Sequence, residues 1–565
     1  MNFNEDEPFD PAHYTDDDEP IVTLRRTPGT VGRQASRRGT RDAAAGAPQH
    51  LTPRPLQLVP RAQRHGSGGK VIGAANAGPP GYIGVHLPDA RHHFHLLGPT
   101  GTGKSTLALN MVLDDAANGR GVAVFDPKGD LIRDILDRLP AYCGDRLVII
   151  DPDEAEAPPA LNLLQRGVFG ATAHDVAAHI TSVMSKVWYR WWGHRTADIA
   201  HHGLLTLAHL DGSTLAQLPK LLSHHAWRTE QVTAVENKLR AAGKAPGTLT
   251  EFWDGFDALS VGHRASLVAP LLAKLRLVLA HPLAAGLFGV PASTFRLADI
   301  LDGGILLCRL PKGIIGEDGT RLVGSLLLAG LWQATTARAR LPEHERLDAA
   351  IVVDECHNFL HLPIGLDDAL AEARGLRTSF VLAHQYLGQL STEMAEAIDA
   401  NARNKVYFAL APRDAARQAY HVEPYLDEGD LTRLGAFEVV LRPIAAGRAV
   451  APGTADTLPA LPAVRGRAEW LRDRARRRTG LPREVRRSLL AEVVTADEPA
   501  DGGALRTPGE LVGRDTFRAG RRHESSSERL PEQRVDHERS GERSPMNTPF
   551  PQLSDGEEDP WHVRD

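Results

Sequence analysis

The amino-acid sequence predicts an α/β fold with a mostly parallel β-sheet that is interrupted by an all-helical insertion. Three observations support this prediction. Short apolar runs alternate with helical patterns from about residue 84 to 167, residues 168–290 are helical in pattern almost throughout, and the alternation returns after 290. Such alternation implies parallel strands joined by right-handed crossovers.

The predicted elements follow from this alternation. Before the insertion, strands are expected at 94–97, 122–126 and 146–151, with helices beginning near 106 and 131. In the insertion, Val176, Ile180, Val183 and Val187 share one helix face, and further helices are predicted at 197–209, 214–225, 228–243 and 263–280. After it, strands at 305–310, 349–355, 379–385 and 405–410 alternate with helices at 320–339, 366–374 and 391–402, and 438–452 forms a closing hairpin.

The two ends of the 565-residue chain differ in composition from its centre. The first 80 residues hold an acidic run and then an Arg/Gly/Pro/Ala stretch, and residues beyond about 500 are rich in Ser, Glu, Arg, Gly and Pro. Such segments bury too little apolar surface to fold alone, so disorder is favoured. The predicted organisation is a disordered tail at 1–80, a first core part at 81–167, the helical insertion at 168–290, a second core part at 291–460, and an Arg-rich, then disordered tail at 461–565.

The charge distribution is uneven along the chain. The formal net charge of −6 argues against a basic protein that coats nucleic acid. Residues 465–487, however, hold ten arginines and only three acidic residues. This segment can contact nucleic acid or a membrane surface, or it can be a solvated linker helix, and composition leaves both interpretations open.

Cysteine usage and hydropathy indicate the compartment. Cys143, Cys308 and Cys356 are far apart and have no metal-binding spacing, which favours a reducing environment. The N-terminus is acidic, unlike a secretory signal. The most apolar run, Leu322 to Leu331, is much shorter than the ~20 residues that a bilayer requires. We expect a cytoplasmic chain without a transmembrane segment, free or held at the inner face of the membrane by partner proteins.

One short motif predicts nucleotide binding. Residues 98–105 read GPTGTGKS, which matches the phosphate-binding P-loop pattern (Walker A) G-x-x-x-x-G-K-[ST] between a strand and a helix. Backbone N–H groups of such a loop form an anion cradle. We expect Lys104 to reach the β- and γ-phosphates and Ser105 to bind Mg²⁺. The predicted nucleotide-binding residues are Gly98, Pro99, Thr100, Gly101, Thr102, Gly103, Lys104, Ser105 and Thr106.

Two further strand ends indicate hydrolysis. The apolar run AAIVV ends in Asp354 and Glu355, a Walker B pattern. Asp354 can hold Mg²⁺, and Glu355 can accept a proton from the attacking water, a role that a kinase would avoid. Gln385 ends the next strand and can contact the γ-phosphate or the lytic water. Because parallel strands end at one edge of the sheet, these side chains should lie beside the P-loop.

Arginines near these strands are candidates for a trans-acting role. Arg374 lies in the segment EARGLRTSF, between the Asp-Glu pair and Gln385, and Arg403 lies in NARNKVYF. An arginine inserted into a neighbouring subunit's site stabilises transition-state charge, which is worth ~10³–10⁵ in rate. Arg374 is the first candidate for this arginine finger and Arg403 is the alternative.

Taken together, GPTGTGKST, VFDPKGDL (124–131), VVDECHNF (352–359), AEARGLRTSFVLAHQ (371–385) and IDANARNKVYFAL (398–410) resemble one ATPase family. The chain is similar to the HerA–FtsK group of ring motors, and most similar to type IV secretion coupling proteins of the TraG/TraD class. The similarity covers roughly residues 84–460. It implies a RecA-like ATPase core that uses ATP and Mg²⁺, and it adds Asp126 and Lys128 to the nucleotide-facing residues.

The resemblance also implies a homohexameric ring around DNA, with ATP sites between subunits, and a relaxase and membrane secretion-channel proteins as partners. Many coupling proteins begin with transmembrane helices, which this sequence lacks. Three functions stay open: a DNA-translocating coupling ATPase or a cytosolic HerA-like DNA translocase, a secretion or pilus-assembly ATPase that moves protein, and a non-motor, ATP-dependent recruitment adaptor. The sequence does not show which loops contact DNA or whether the DNA is single- or double-stranded.

Overall fold

The computed structural model describes residues 68–76 and 81–495. Of the residues predicted to be disordered, 1–67, 77–80 and those from about 500 onward lie outside the described residues.

The described residues form alternating strands and helices. The β-strands in chain order are β1 Gly69–Ala75, β2 Tyr82–His86, β3 Phe94–Leu97, β4 Gly121–Asp126, β5 Leu147–Ile150, β6 Ile305–Arg309, β7 Ala349–Val353, β8 Thr378–His384, β9 Asn404–Tyr407, β10 Glu438–Arg442, β11 Ile444–Ala445, β12 Arg448–Ala449 and β13 Gly453–Thr457. The α-helices in chain order are α1 Leu87–Ala90, α2 Lys104–Ala117, α3 Asp130–Arg138, α4 Ala173–Val187, α5 His194–His209, α6 Leu218–Ser223, α7 His225–Ala241, α8 Thr248–Ala258, α9 Val261–Leu279, α10 Pro282–Phe288, α11 Leu297–Leu301, α12 Lys312–Ile315, α13 Glu317–Ala337, α14 Leu366–Gly375, α15 Thr392–Asn401, α16 Pro412–Gln418, α17 Glu428–Thr432, α18 Arg467–Thr479 and α19 Arg483–Thr495.

Most strands of the described residues belong to one 11-stranded sheet, in the order β2-β1-β13-β10-β9-β3-β8-β7-β4-β6-β5. From β9 to β5 the neighbours are parallel, whereas β10, β13, β1 and β2 pair antiparallel. We call the side where the parallel strands end the carboxyl edge and the opposite side the amino edge. The loops that follow β3, β4, β7 and β8 therefore meet at the carboxyl edge.

Both faces of the sheet are covered, because the parallel strands are apolar on both sides. On β4, Ala123 and Phe125 belong to one buried cluster and Val122 and Val124 to the other, as the alternation of side chains in a strand requires. Helices α2, α3 and α18 pack on the second face. This arrangement confirms the predicted α/β fold with its mostly parallel sheet.

The segment predicted as an insertion is helical, as expected, and it packs on the first face. Buried residues of α4, such as Val176 and Val183, share one continuous cluster with Leu326 of α13 and Phe125 of β4. The helices therefore extend the core of the sheet, and no separate apolar core is needed to hold them together.

Three regions differ from the expectations. Strand β1 lies inside the range predicted as a disordered tail. It is ordered because it pairs with β13, where Gly73 lies opposite Thr457. Strand β10 pairs mainly with β9 and β13, and only β11 and β12 form the short predicted hairpin. The Arg-rich segment 465–487, for which the sequence left a surface contact and a solvated linker helix open, forms α18 and the first residues of α19. Arg472 of α18 donates to Asp151 at 2.7 Å, so α18 is packed against the core by ion pairs and is not a solvated linker.

No single helix in the described part of the chain is long and apolar enough to cross a membrane; α9 and α10 pass this test only as a pair, bent by 96°.

Candidate nucleotide-binding and hydrolysis site

The P-loop joins β3 to α2 at the carboxyl edge. Gly101 and Gly103 have φ angles of 84° and 113°, in the left-handed region that favours glycine. Lys104 is 6% exposed, and its ammonium donates to the carbonyl oxygens of Gly98 and Pro99, the latter at 2.7 Å. Ser105, in the first turn of α2, is exposed. The loop therefore has the curled backbone of an anion-binding loop, and carbonyl oxygens of the same loop hold the Lys104 ammonium inside it.

The outer part of the loop is open to solvent. Pro99, Thr100 and Gly101 are exposed, and Thr102 and Thr106 are half-buried. The Thr102 hydroxyl donates to the Pro99 carbonyl at 2.8 Å, which closes the turn. The structure thus presents all of the predicted P-loop residues at one strand-to-helix junction.

Asp354 and Glu355 follow β7 on the same edge. Glu355 has φ 46° and ψ 55°, a left-handed conformation that is uncommon for a residue with a side chain and is frequent at functional sites. Burial lowers the pKa of Lys104, while the nearby Asp354 and Glu355 carboxylates act in the opposite direction. The P-loop cation and the two acidic side chains therefore share one electrostatic environment.

Three donors hold the Glu355 carboxylate. Lys128 Nζ donates to Oε1 at 2.6 Å, Gln385 Nε2 donates to the same oxygen, and Gln389 Nε2 donates to Oε2 at 3.3 Å. Burial alone would raise the pKa of Glu355, but the hydrogen bonds from Lys128 and Gln385 outweigh it and hold that pKa below its usual value. Glu355 is thus an oriented, ionised carboxylate at neutral pH.

Gln389 was not predicted from the sequence. Its side-chain oxygen accepts from the backbone N–H of Gln385 at 2.8 Å, so it orients Gln385 as well as Glu355. The signal was present in the segment HQYLGQL, where two glutamines are four residues apart after a buried strand. The intervening residues form a short 3-10 turn, which brings both amides toward the same carboxylate.

Asp126 and Lys128 follow β4 at this edge but make different contacts. The Asp126 carboxylate is fully buried and accepts from the backbone N–H groups of Lys128 and Gly129, each at 2.8 Å. These are the contacts of a residue that anchors its own loop and not of one that faces a ligand. Lys128 is 44% exposed at its side chain and bonds Glu355. Of this predicted pair, only Lys128 is available for contact with a nucleotide.

Asp354 is suited to a divalent cation. Burial, with Asp126 and Glu355 nearby, raises the pKa of Asp354 to about 6. A cation would relieve this crowding of carboxylates. Mg²⁺ prefers oxygen ligands and is usually held by one or two protein groups and substrate phosphates. The Ser105 hydroxyl and the Asp354 carboxylate provide such a donor set.

Arg374 and Arg403 lie at the opposite, amino edge. Arg374 lies in the last turn of α14, and Arg403 directly precedes β9. Their guanidinium groups approach the same atom, His92 Nδ1, at 3.4 and 3.1 Å. Burial, and then the two arginines, lowers the pKa of His92 to about 4. The structure therefore brings these arginines together, but away from the P-loop of the same chain.

Neither a model of a known protein family nor a curated protein sequence matches the chain. Solved structures are similar in fold. The bacterial conjugative coupling protein TrwBdeltaN70, in a trigonal form with sulphate, matches with a TM-score of 0.50 and 16% identity, over 75% of this chain and 98% of that one.

Two further structures give similar alignments. Plasmid coupling protein TrwB with ADP and Mg²⁺ has a TM-score of 0.49 and 16% identity, over 76% of this chain and 99% of that one. VirB4 of Thermoanaerobacter pseudethanolicus has a TM-score of 0.46 and 16% identity, over 69% of this chain and 96% of that one. At these identities the likeness concerns the fold. The chain therefore shares the fold of the conjugative coupling protein TrwBdeltaN70, as its motifs predicted.

Proposed function

We propose that this protein is an ATP-hydrolysing ring motor that translocates DNA, the coupling ATPase of a conjugative or type IV secretion system. One observation carries the hydrolytic part of this proposal. The Glu355 carboxylate is ionised, held by Lys128 and Gln385, and placed in one electrostatic environment with Lys104. A phosphate-binding lysine beside an oriented carboxylate is the arrangement that water-driven cleavage of a phosphoanhydride needs.

The residues have distinct parts in hydrolysis. Lys104 and the loop N–H groups bind the phosphates of ATP, and Gln385 orients the attacking water. Glu355 accepts the proton of that water when Lys128 leaves it for the γ-phosphate. Ser105 and Asp354 would hold Mg²⁺, which would supply positive charge to neutralise the phosphates of ATP.

The position of the arginines supports a ring. Arg374 and Arg403 lie at the amino edge, whereas Lys104 and Glu355 lie at the carboxyl edge. An arginine that neutralises the transition state must then come from a second copy of the chain. We propose a homohexamer in which Arg374, with Arg403 as the alternative, completes the ATP site of its neighbour.

The proposed cargo and partners follow from the fold and its resemblance. The described residues share the fold of a protein named as a conjugative coupling protein. We propose DNA as the substrate that is moved, a relaxase as the protein that presents it, and membrane secretion-channel proteins as the receiving complex. The proposed location is the cytoplasm, at the inner face of the membrane through those partners.

The test is steady-state ATPase activity without DNA, with single-stranded DNA and with double-stranded DNA. A Glu355→Gln variant, which keeps the hydrogen-bonding shape but cannot accept a proton, serves as the control. We expect DNA to stimulate hydrolysis and Glu355→Gln to lower kcat by ~10²–10⁴ while ATP binding persists. The DNA form that stimulates more is the one that the motor holds.

Other outcomes select the alternatives. Strong hydrolysis that ignores DNA would favour an ATPase that moves protein in secretion or pilus assembly. ATP binding without hydrolysis under any condition would favour a recruitment adaptor and would contradict the motor.

A further inference from the structure

Phe437 has an unusual backbone, fixed on both sides. It directly precedes β10 and has a φ of 68°, which makes an aromatic residue a conformational outlier. Its N–H donates to the carbonyl oxygen of Thr102 in the P-loop at 2.9 Å. Its own carbonyl accepts from Thr457 N at 2.8 Å and from Thr457 Oγ1 at 3.1 Å. The P-loop and β13 together therefore hold this residue in a conformation that it would not adopt alone.

The ring of Phe437 lies against the P-loop and also faces solvent. A Cβ on Gly103 would lie 2.8 Å from Phe437 Cδ1, so the ring covers the glycine that directly precedes α2. Phe437 is nevertheless 45% exposed. By contrast, Phe408, which also borders Gly103, is fully buried. Strained residues that stay exposed beside a binding loop are typical of ligand contacts and not of core packing.

The sheet order indicates which part of a nucleotide would meet this ring. The hydrolytic group, Glu355 with Gln385, follows β7 and β8, on one side of β3. Phe437 precedes β10, which lies beyond β9 on the other side of β3. A triphosphate in the P-loop with its γ-phosphate toward Glu355 directs its ribose and base away from β8. The base then emerges on the side of Phe437.

We propose that Phe437 is the platform on which the base of the bound nucleotide stacks. This inference rests on the proposed nucleotide binding and extends it to the class of base. A phenyl ring offers an apolar face and no hydrogen-bonding group, and the adjacent exposed Gly435 and Ala436 carry none in their side chains either. Stacking recognises the area of a base and tolerates its identity. The site is therefore selective for purine nucleoside triphosphates over pyrimidine ones, and it accepts ATP and GTP alike.

The test compares two substitutions of Phe437 in the full-length protein. Phe437→Leu keeps an apolar contact with Gly103 but removes the aromatic face, and Phe437→Tyr restores that face. KM and Kd are measured for ATP, GTP, CTP and for inorganic tripolyphosphate, which has no base. Tyr425→Leu, at another exposed aromatic residue (65% exposed), is the matched control.

We expect Phe437→Leu to raise KM for ATP and GTP by roughly tenfold, the size of one base–aromatic stack, with a much smaller change in kcat. The Tyr variant restores the affinity, and tripolyphosphate binds all variants equally. Equal weakening of tripolyphosphate and ATP would overturn the proposal, because it would show that the P-loop itself is distorted. Unchanged purine affinity in Phe437→Leu would also overturn it.

The two levels of inference can fail separately. If the unaltered protein binds no nucleotide at all, the proposed ATPase function fails. If it binds and hydrolyses ATP but Phe437→Leu behaves as the unaltered protein does, only the base platform fails.

Discussion

The two edges of the parallel sheet are built in different ways. At the carboxyl edge, the Glu355 carboxylate has donors from the loops after β4 and β8, including Lys128 and Gln385. At the amino edge, Arg374 and Arg403 meet only on the neutral ring of His92. Within residues 68–76 and 81–495, neither guanidinium forms an ion pair. At the carboxyl edge the charged side chains are thus paired with each other within the chain. At the amino edge the two arginines have no acidic partner in the described residues, and Arg374 is exposed.

This difference shows what one chain can and cannot assemble. Phosphate binding and the catalytic carboxylate come from loops of a single sheet edge, so each chain contains them all. The arginines are separated from that edge by the length of the strands. A cationic group whose internal partner is neutral is suited to an anion from outside the chain. The comparison therefore supports an ATP site that is complete only between two copies.

The largest expected effect tests the amino edge. We expect Arg374→Ala to lower kcat by about 10³ or more, because the transition-state charge loses its partner, with little change in ATP affinity. Mixing inactive Arg374→Ala chains with inactive Glu355→Gln chains should restore part of the activity. One type of interface in such a mixture contains both an intact Glu355 and an intact Arg374.

The control for this experiment is Arg195→Ala, which removes an exposed arginine of the helical region. Arg403→Ala is made in parallel, and restoration with that variant instead would move the finger to Arg403. Failure of both mixtures to recover activity would contradict an arginine donated by a neighbouring chain.

A smaller effect is expected for the side chains that hold Glu355, because several of them share this role. We expect Lys128→Met to shift the acid limb of the kcat/KM pH profile to higher pH, because the hydrogen bond from Lys128 helps to lower the pKa of Glu355. Gln389→Leu should cause a lesser change, since its bond to Glu355 is long at 3.3 Å. An unchanged acid limb in Lys128→Met would show that Glu355 is not the titrating base.

The parts of the site that lie within local motifs could be predicted from the sequence. The P-loop and the Asp354–Glu355 pair each combine an apolar run with a fixed set of residues, and the parallel order of strands then places their ends together. Gln385 was also predicted at this edge, as the last residue after an apolar run.

Contacts between distant segments could not be predicted in this way. Lys128 and Glu355 are 227 residues apart in sequence, and nothing in either segment specifies their ion pair. Strand β1 has only two large apolar side chains, those of Val71 and Ile72, and its sequence does not reveal its pairing with β13 and β2. Likewise, arginines of α18 form ion pairs with Asp151 and Glu154. These acidic residues lie more than 300 residues before α18 in the sequence. In each case the partner, rather than the segment, determines the structure.

The smallest expected effect is a change in the free energy of unfolding with pH. It arises from buried histidines, one at each edge of the sheet. At the amino edge, His93 Nδ1 accepts from the N–H of Phe380 at 3.0 Å, and its Nε2 donates to Leu370 O at 2.6 Å. This ring must be neutral, because protonation of Nδ1 would break the first bond. Burial lowers the pKa of His93, and that of His384 at the end of β8, to about 4.

The unfolded chain takes up these protons near pH 6.5, whereas the folded chain takes them up only near pH 4. The free energy of unfolding is therefore at its full value above pH 6.5 and decreases as the pH falls from 6.5 to 4. We expect each histidine to lower the free energy of unfolding by about 1 kcal/mol when the pH falls from 7.5 to 5.5. Asp354, whose pKa is raised to about 6, opposes this loss by a smaller amount. Urea unfolding at both pH values measures the slope. His93→Gln should lower stability at pH 7.5 yet reduce its pH dependence, whereas an unaltered slope would show that His93 is not kept neutral by the fold.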